Sequence, residues 1–148
     1  MTSNVGVTLT ATEVQERVRR EWQASPLWQW WGMRIEAAEE GTVRLGMRVT
    51  PEMINSDDRT LHGGVIATLI DTAIGASLCT VYDVGREIKG HTTTDLNVSY
   101  LEGVLTKEVY VTARVLRKGR TLVVGEASVF DQNEKLCATG RATYMVFR

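Results

Sequence analysis

This chain lacks an excess of charge of either sign. Its 17 Lys and Arg against 18 Asp and Glu leave a formal net charge of −1. Nucleic acids and anionic membranes are held by basic faces, so neither is expected as a partner. No uninterrupted apolar run of about 18 residues stands out, so no segment is expected to span a bilayer. The N-terminal stretch "MTSNVGVTLTATEVQERV" lacks a basic segment followed by an apolar one, the mark of a secretory signal. Cysteine is scarce too: Cys79 and Cys137 sit in apolar segments without metal-like spacing. They read as buried free thiols of a reducing, cytoplasmic compartment, and no metal site is expected. There is no internal repeat and no low-complexity segment. What is present is ordinary for a globular chain, with 43% hydrophobic and 24% charged residues. A length of 148 residues suits one domain that removes roughly two-thirds of its unfolded surface from water.

Along the chain, residues 1–9 read as a loose tail. "TATEVQERVRREW" follows, where Thr10 and Glu13 can form a capping box and Val14, Val18 and Trp22 recur every four residues, as in an amphipathic helix. "SPLWQWWGM" breaks that helix at Pro26, and its Trp28, Trp30 and Trp31 suit an anchor onto the domain or the wall of an apolar pocket. From Thr42 the period becomes two: Val43, Leu45, Met47 and Val49 alternate with Arg44, Gly46 and Arg48, as in a half-buried strand. After the polar loop "PEMINSDDRT", a long apolar helix is expected over about 63–82, stopped near Gly85. "HTTTDLNVSYL", "EVYVTARVL", "RTLVVGEASVF" and "KLCATGRATYMVF" are strands by composition. Short turns make the last three antiparallel neighbours.

The long helix poses a question. "LHGGVIATLIDTAIGASL" is apolar almost all round, so it should be buried, yet Asp71 stands in its middle, where an unpaired charge is expensive. A helix apolar on all sides needs a curved sheet to cover it. The expectation is therefore an α+β architecture: a central helix wrapped by an antiparallel sheet of about five to six strands, with an N-terminal helix added.

"GMRIEAAEEGTVRLGMRVTPEMIN", "LHGGVIATLIDTAIGASL", "TTTDLNVSYL" and "VLRKGRTLVVGEASVF", in that order over about residues 26–147, resemble the hotdog-fold thioesterases of the phenylacetic-acid-degradation (PaaI-like) type. The resemblance implies a tail and helix at 1–25 and a hotdog domain at 26–148. It implies homodimers, often assembled as dimers of dimers. The activity it implies is hydrolysis of acyl-coenzyme A to free acid and coenzyme A, with no metal and no cofactor beyond the coenzyme A of the substrate.

Thioester hydrolysis needs an activated water or an attacking carboxylate, a stabilised oxyanion and a held leaving group. Asp71 is the candidate base or nucleophile. A helix N-terminus presents unpaired N–H groups, and with no side chain at Gly63 a thioester carbonyl can approach its amide closely. The resemblance gives that donor role to the glycine eight residues before the acid, here Gly63. Gly64 serves the same approach or simply the turn, and His62 orients the thioester or braces the loop. Thr93 matches a water-orienting hydroxyl of the family. By strand alternation it shares a side with His91, Asp95 and Asn97, opposite Leu96, Val98 and Tyr100. Asn55 resembles a substrate-binding asparagine, set one residue further from His62 than is usual, so either the loop carries an extra residue or Ser56 takes the place. Lys118, Arg120 and Thr121, in the turn with Arg117, are candidates for the nucleotide phosphates, and Arg141 is a weaker one. Two other functions stay open: a non-catalytic acyl-coenzyme A-binding module, and a hotdog hydratase or dehydratase.

Eight helical residues span about 12 Å, while an oxyanion donor and an attacking group must both come within roughly 3 Å of the reacting centre. Gly63 and Asp71 of one helix therefore cannot serve one site, which points to a homodimer with shared active sites.

Overall fold

A computed structural model describes residues 8–148. The tail assigned to residues 1–9 therefore lies almost wholly outside the described residues. The first helix, α1 (Ala11–Ala24), starts on the expected capping box: Glu13 N–H donates to Thr10 Oγ1 and Glu13 Oε2 accepts from Thr10 N–H. Val14 and Val18 form its buried seam. Pro26 begins a second short helix, α2 (Pro26–Trp30), where only a break was expected. Proline at the first helical turn costs no hydrogen bond, and Ser25 caps the turn with its hydroxyl.

Six antiparallel strands follow, one of them at Arg34–Glu39, where no strand was expected. They are β1 (Arg34–Glu39), β2 (Thr42–Arg48), β3 (Gly90–Tyr100), β4 (Glu108–Lys118), β5 (Leu122–Asp131) and β6 (Leu136–Phe147). Their order in the sheet is β1-β2-β4-β5-β6-β3. β1 escapes notice in the sequence because a register shift between Ile35 and Ala37 breaks its alternation. The long helix, α3 (Gly63–Val81), lies across the concave face against β2 to β6. Its Leu69, Ile70, Ile74 and Leu78 are at most 1% exposed, and full burial of each such side chain stabilises the fold by about 1.5–3 kcal/mol.

Two glycines let helix and sheet meet. A Cβ on Gly140 would fall 2.7 Å from Ile70 Cγ2, and one on Gly125 would fall 2.6 Å from Ile74 Cγ2. By length and composition alone α3 is also apolar enough to cross a membrane. However, 67% of that span is buried inside the fold, so the sheet covers it.

α1 packs on α3 and β1. Asp83, just past α3, accepts from Arg20 at 2.8 Å and lies 3.8 Å from Arg17, while Trp22 Nε1 donates to the Met33 carbonyl at 2.6 Å. The tryptophans divide: Trp28 is buried, and Trp30 is 73% exposed.

β3 ends the sheet as an edge strand. A bulge between Thr93 and Asp95 shifts its register by one residue against β6. This reverses the alternation that places Thr93 opposite Tyr100. Both side chains reach α3, Thr93 at Asp71 and Tyr100 at Gly63.

Candidate active site

Asp71 occupies the middle of α3, and it is half-buried. Its charge is not left bare. Oδ1 accepts from the Thr93 hydroxyl at 2.7 Å and from the Tyr144 hydroxyl at 2.8 Å. The Tyr144 hydroxyl also lies 2.5 Å from the Asp71 backbone carbonyl. Tyr144 is locked as a donor, because burial first and then the neighbouring Asp71 charge hold its hydroxyl well above the ordinary tyrosine range. Two donors on Oδ1 fix the carboxylate rotamer. Oδ2 has no protein partner among the described residues, which leaves it to meet a water or a carbonyl carbon.

At the start of α3, His62 is the N-cap, and its Nδ1 accepts from Gly64 N–H at 2.9 Å. That bond uses up the Gly64 amide. His62 thus braces the helix entry, one of its two expected roles. The Gly63 amide is the first of the helix and has no acceptor among the described residues. The Gly63 carbonyl accepts from the Tyr100 hydroxyl at 2.7 Å. Asn55 spends its side-chain amide inside its own loop, donating to Thr60 Oγ1 at 3.0 Å.

The basic turn between β4 and β5 lies at the opposite end of α3. Lys118 donates to the Val81 carbonyl at 2.7 Å and sits 4.2 Å from the centre of the Tyr82 ring, so it caps the helix C-terminus. Arg120 and Thr121 are exposed in the turn. Arg141 pairs across the sheet with Glu126, away from Asp71. One chain thus joins Asp71 to Thr93 and leaves Gly63 and the basic turn apart from it.

Beside Asp71 opens a cavity of about 210 Å³ between α1, α2, α3, β3 and β6. Successive turns of α3 present Asp71, Gly75 with Ala76, and Cys79 to it, and Trp28 forms an apolar wall. Glu21, Cys79 and His91 supply a polar end. Met33 and Met53 lie in the core at 1% and 3% exposure. Tyr144 was not singled out in the sequence. Alternation along β6 was the available signal, since Ala142, Tyr144 and Val146 are buried in turn.

A single helix carrying a clamped carboxylate and a free N-terminal amide, wrapped by an antiparallel sheet, defines the class: a hotdog hydrolase scaffold. The family profile described as "Thioesterase superfamily" matches residues 59–138. The chain is 36% identical over 112 residues to human acyl-coenzyme A thioesterase 13, covering 74% of this chain and 76% of that protein. It is 30% identical over 126 residues to the medium/long-chain acyl-CoA thioesterase YigI of Escherichia coli, covering 78% and 81%. The solved structure of the E. coli PaaI protein superposes with a TM-score of 0.83 over 93% of this chain and 96% of that one; at 19% identity the likeness concerns the fold. The chain belongs to the thioesterase superfamily and is a thioester hydrolase.

Proposed function

We propose that the chain hydrolyses acyl-coenzyme A in a homodimer whose two active sites are each built from both protomers. The observation that carries this reading is the Asp71 carboxylate, held through Oδ1 by Thr93 and Tyr144 beside a cavity walled on one side by Trp28. Asp71 Oδ2 takes a proton from water as the water oxygen bonds to the thioester carbon, or itself attacks that carbon. The carbonyl oxygen becomes an oxyanion held by the partner's Gly63 amide. Collapse then breaks the carbon–sulfur bond and releases coenzyme A as a thiolate; where Asp71 has attacked, a water then hydrolyses the resulting anhydride, which frees the acid and restores the Asp71 carboxylate. No cofactor is needed.

The edge strand supplies the dimer. β3 leaves one row of backbone groups unpaired, and such a row is completed by another strand. If β3 pairs antiparallel with its copy about a two-fold near Leu96 and Asn97, Thr93 of one protomer comes opposite Tyr100 of the other. Thr93 carries Asp71 with it and Tyr100 carries Gly63, so one site receives both. Arg120, Lys118 and Thr121 are assigned to the nucleotide phosphates, and His62, Gly64 and Asn55 to shaping the carbonyl entry. The two buried free thiols support a reducing, cytoplasmic setting.

The test is free-thiol release from a panel of aryl, medium-chain and long-chain acyl-coenzyme A esters, with an enoyl ester followed by absorbance alongside. Turnover should appear in the first assay and fall about 10²–10⁴-fold in Asp71→Asn, the range for losing a general base. Near-full turnover in Asp71→Asn would remove Asp71 from the mechanism.

A further inference from the structure

The polar end of the cavity has a geometry that the hydrolytic step does not use. Glu21 comes from α1, Cys79 from α3 and His91 from β3, yet one donor atom of each lies within 4.8 Å of the others. Cys79 Sγ and His91 Nε2 stand 3.6 Å apart. A tetrahedral zinc ion with bonds of about 2.3 Å to sulfur and about 2.05 Å to nitrogen places those two atoms about 3.6 Å apart. The observed separation matches the length of one edge of a zinc tetrahedron.

A structural pairing explains the cluster less well. A thiol is a weak hydrogen-bond donor and a weak acceptor, and His91 Nδ1 is buried with no partner among the described residues. Nε2 has only that weak partner, whereas buried polar groups are normally paired; an ion on Nε2 would leave Nδ1 as it is. Burial favours the neutral imidazole, the form that binds metals. The donor set is one cysteine sulfur, one imidazole and one carboxylate, which suits zinc and not the hard cations calcium and magnesium; burial holds the Cys79 thiol protonated, so an ion that binds there must displace its proton to solvent.

We propose that Glu21, Cys79 and His91 form a three-ligand site for a zinc-class cation, its fourth position facing the cavity beside Asp71. The ion takes no part in hydrolysis. It ties α1 to α3 and occupies the inner end of the cavity, so it excludes the acyl group and inhibits. The binding half stands independently of the role of Asp71, and the inhibition half rests on the acyl-coenzyme A reading.

The experiment uses the full chain stripped with a chelator. Zinc is titrated against a chromophoric competitor, and cobalt(II) is added as a spectroscopic probe. One zinc per chain is expected, with a cobalt spectrum showing tetrahedral d–d bands and a sulfur-to-cobalt charge-transfer band. Loss of an outer-shell partner alone typically weakens metal sites about 10–100-fold, so Cys79→Ser should weaken binding by about 100-fold or more and abolish the charge-transfer band. Glu21→Gln and His91→Gln should each weaken binding, and Cys137→Ser, at the other thiol, should not. Folding of each variant is checked by circular dichroism, and the Glu21 and His91 variants carry the test if Cys79→Ser does not fold. No stoichiometric uptake, equal affinity in all variants, or a charge-transfer band lost only in Cys137→Ser would overturn the site. Zinc bound through Cys79 without any fall in thiol release would overturn the inhibition. Failure of the chain to hydrolyse any acyl-coenzyme A would instead count against the proposed activity, because the cobalt spectrum is read without substrate.

Discussion

The shared site can be tested by combining two broken chains. One carries Asp71→Ala and the other Gly63→Val. A Cβ at Gly63 would lie 3.3 Å from the Tyr100 ring, and the two methyls of valine press further, shielding the amide. Losing one oxyanion donor costs about 2.7–4 kcal/mol, or about 10²–10³-fold. Losing the base costs about 10²–10⁴-fold. Each parent homodimer should therefore retain about 1% of wild-type activity or less. In the mixed dimer one site collects both defects and the other neither, so about half of wild-type activity per dimer should return, since a two-fold dimer holds two equivalent sites. If each chain built its own site, both sites would keep a defect and activity would stay at the parental level. The two outcomes differ by about fifty-fold on these estimates, far beyond assay scatter. The dimers need two different tags, tandem purification and thiol detection on any ester the wild type turns over. Folded mixed dimers as inactive as their parents would refute the shared site.

Tyr144→Phe removes a hydrogen bond to a charged group, worth about 1.5–3 kcal/mol, so kcat should fall by about 10–150-fold while KM changes little; an unchanged kcat would show that Thr93 alone positions Asp71. Arg120→Ala should raise KM for coenzyme A esters and leave pantetheine thioesters unaffected, since these lack the nucleotide phosphates. Equal damage to both substrates would make Arg120 structural. Gly140→Ala would bring a Cβ to 2.7 Å from Ile70 Cγ2 and 2.8 Å from the Asn97 carbonyl oxygen. Overpacking of this kind costs about 1–3 kcal/mol, and urea unfolding should register it as a lower midpoint; an unshifted midpoint would mean that α3 can slide along the sheet.

The features legible in the sequence were those with a regular period or a local partner. The capping box of Thr10 and Glu13, the extent of α3 and the alternating strands all depend on neighbours a few residues away. Asp71 drew attention because a carboxylate in an apolar helix conflicts with its surroundings, and the clamp from Thr93 and Tyr144 resolves the conflict. Tyr144 itself was not legible as a partner, because 73 residues separate the two and only the closed fold joins them. Likewise Cys79 shows no metal-like spacing along the chain. Its neighbours His91 and Glu21 arrive from a strand and from the first helix. The burial of α3 was legible from its apolar circumference, and the enclosing sheet separates it from a membrane span of like length and composition.

The bulge in β3 makes the length of that strand a matter of phase. Thr93 and Tyr100 are seven residues apart, an odd number, and a regular strand would send them to opposite faces. One extra residue brings both back to α3. An engineer who removed Thr94, exposed and outside the paired register, would delete the bulge itself. Thr93 and Tyr100 would then stand six residues apart, an even number, and would still share the face toward α3 with the same partners on β6. A deletion at a paired position between 95 and 99, with the bulge kept, would instead invert the rest of the strand: Tyr100 would swing outward and Gly63 would lose its tyrosine. Homologous segments grafted into this chain should therefore be matched by residue count between these two hydroxyls before they are matched by similarity.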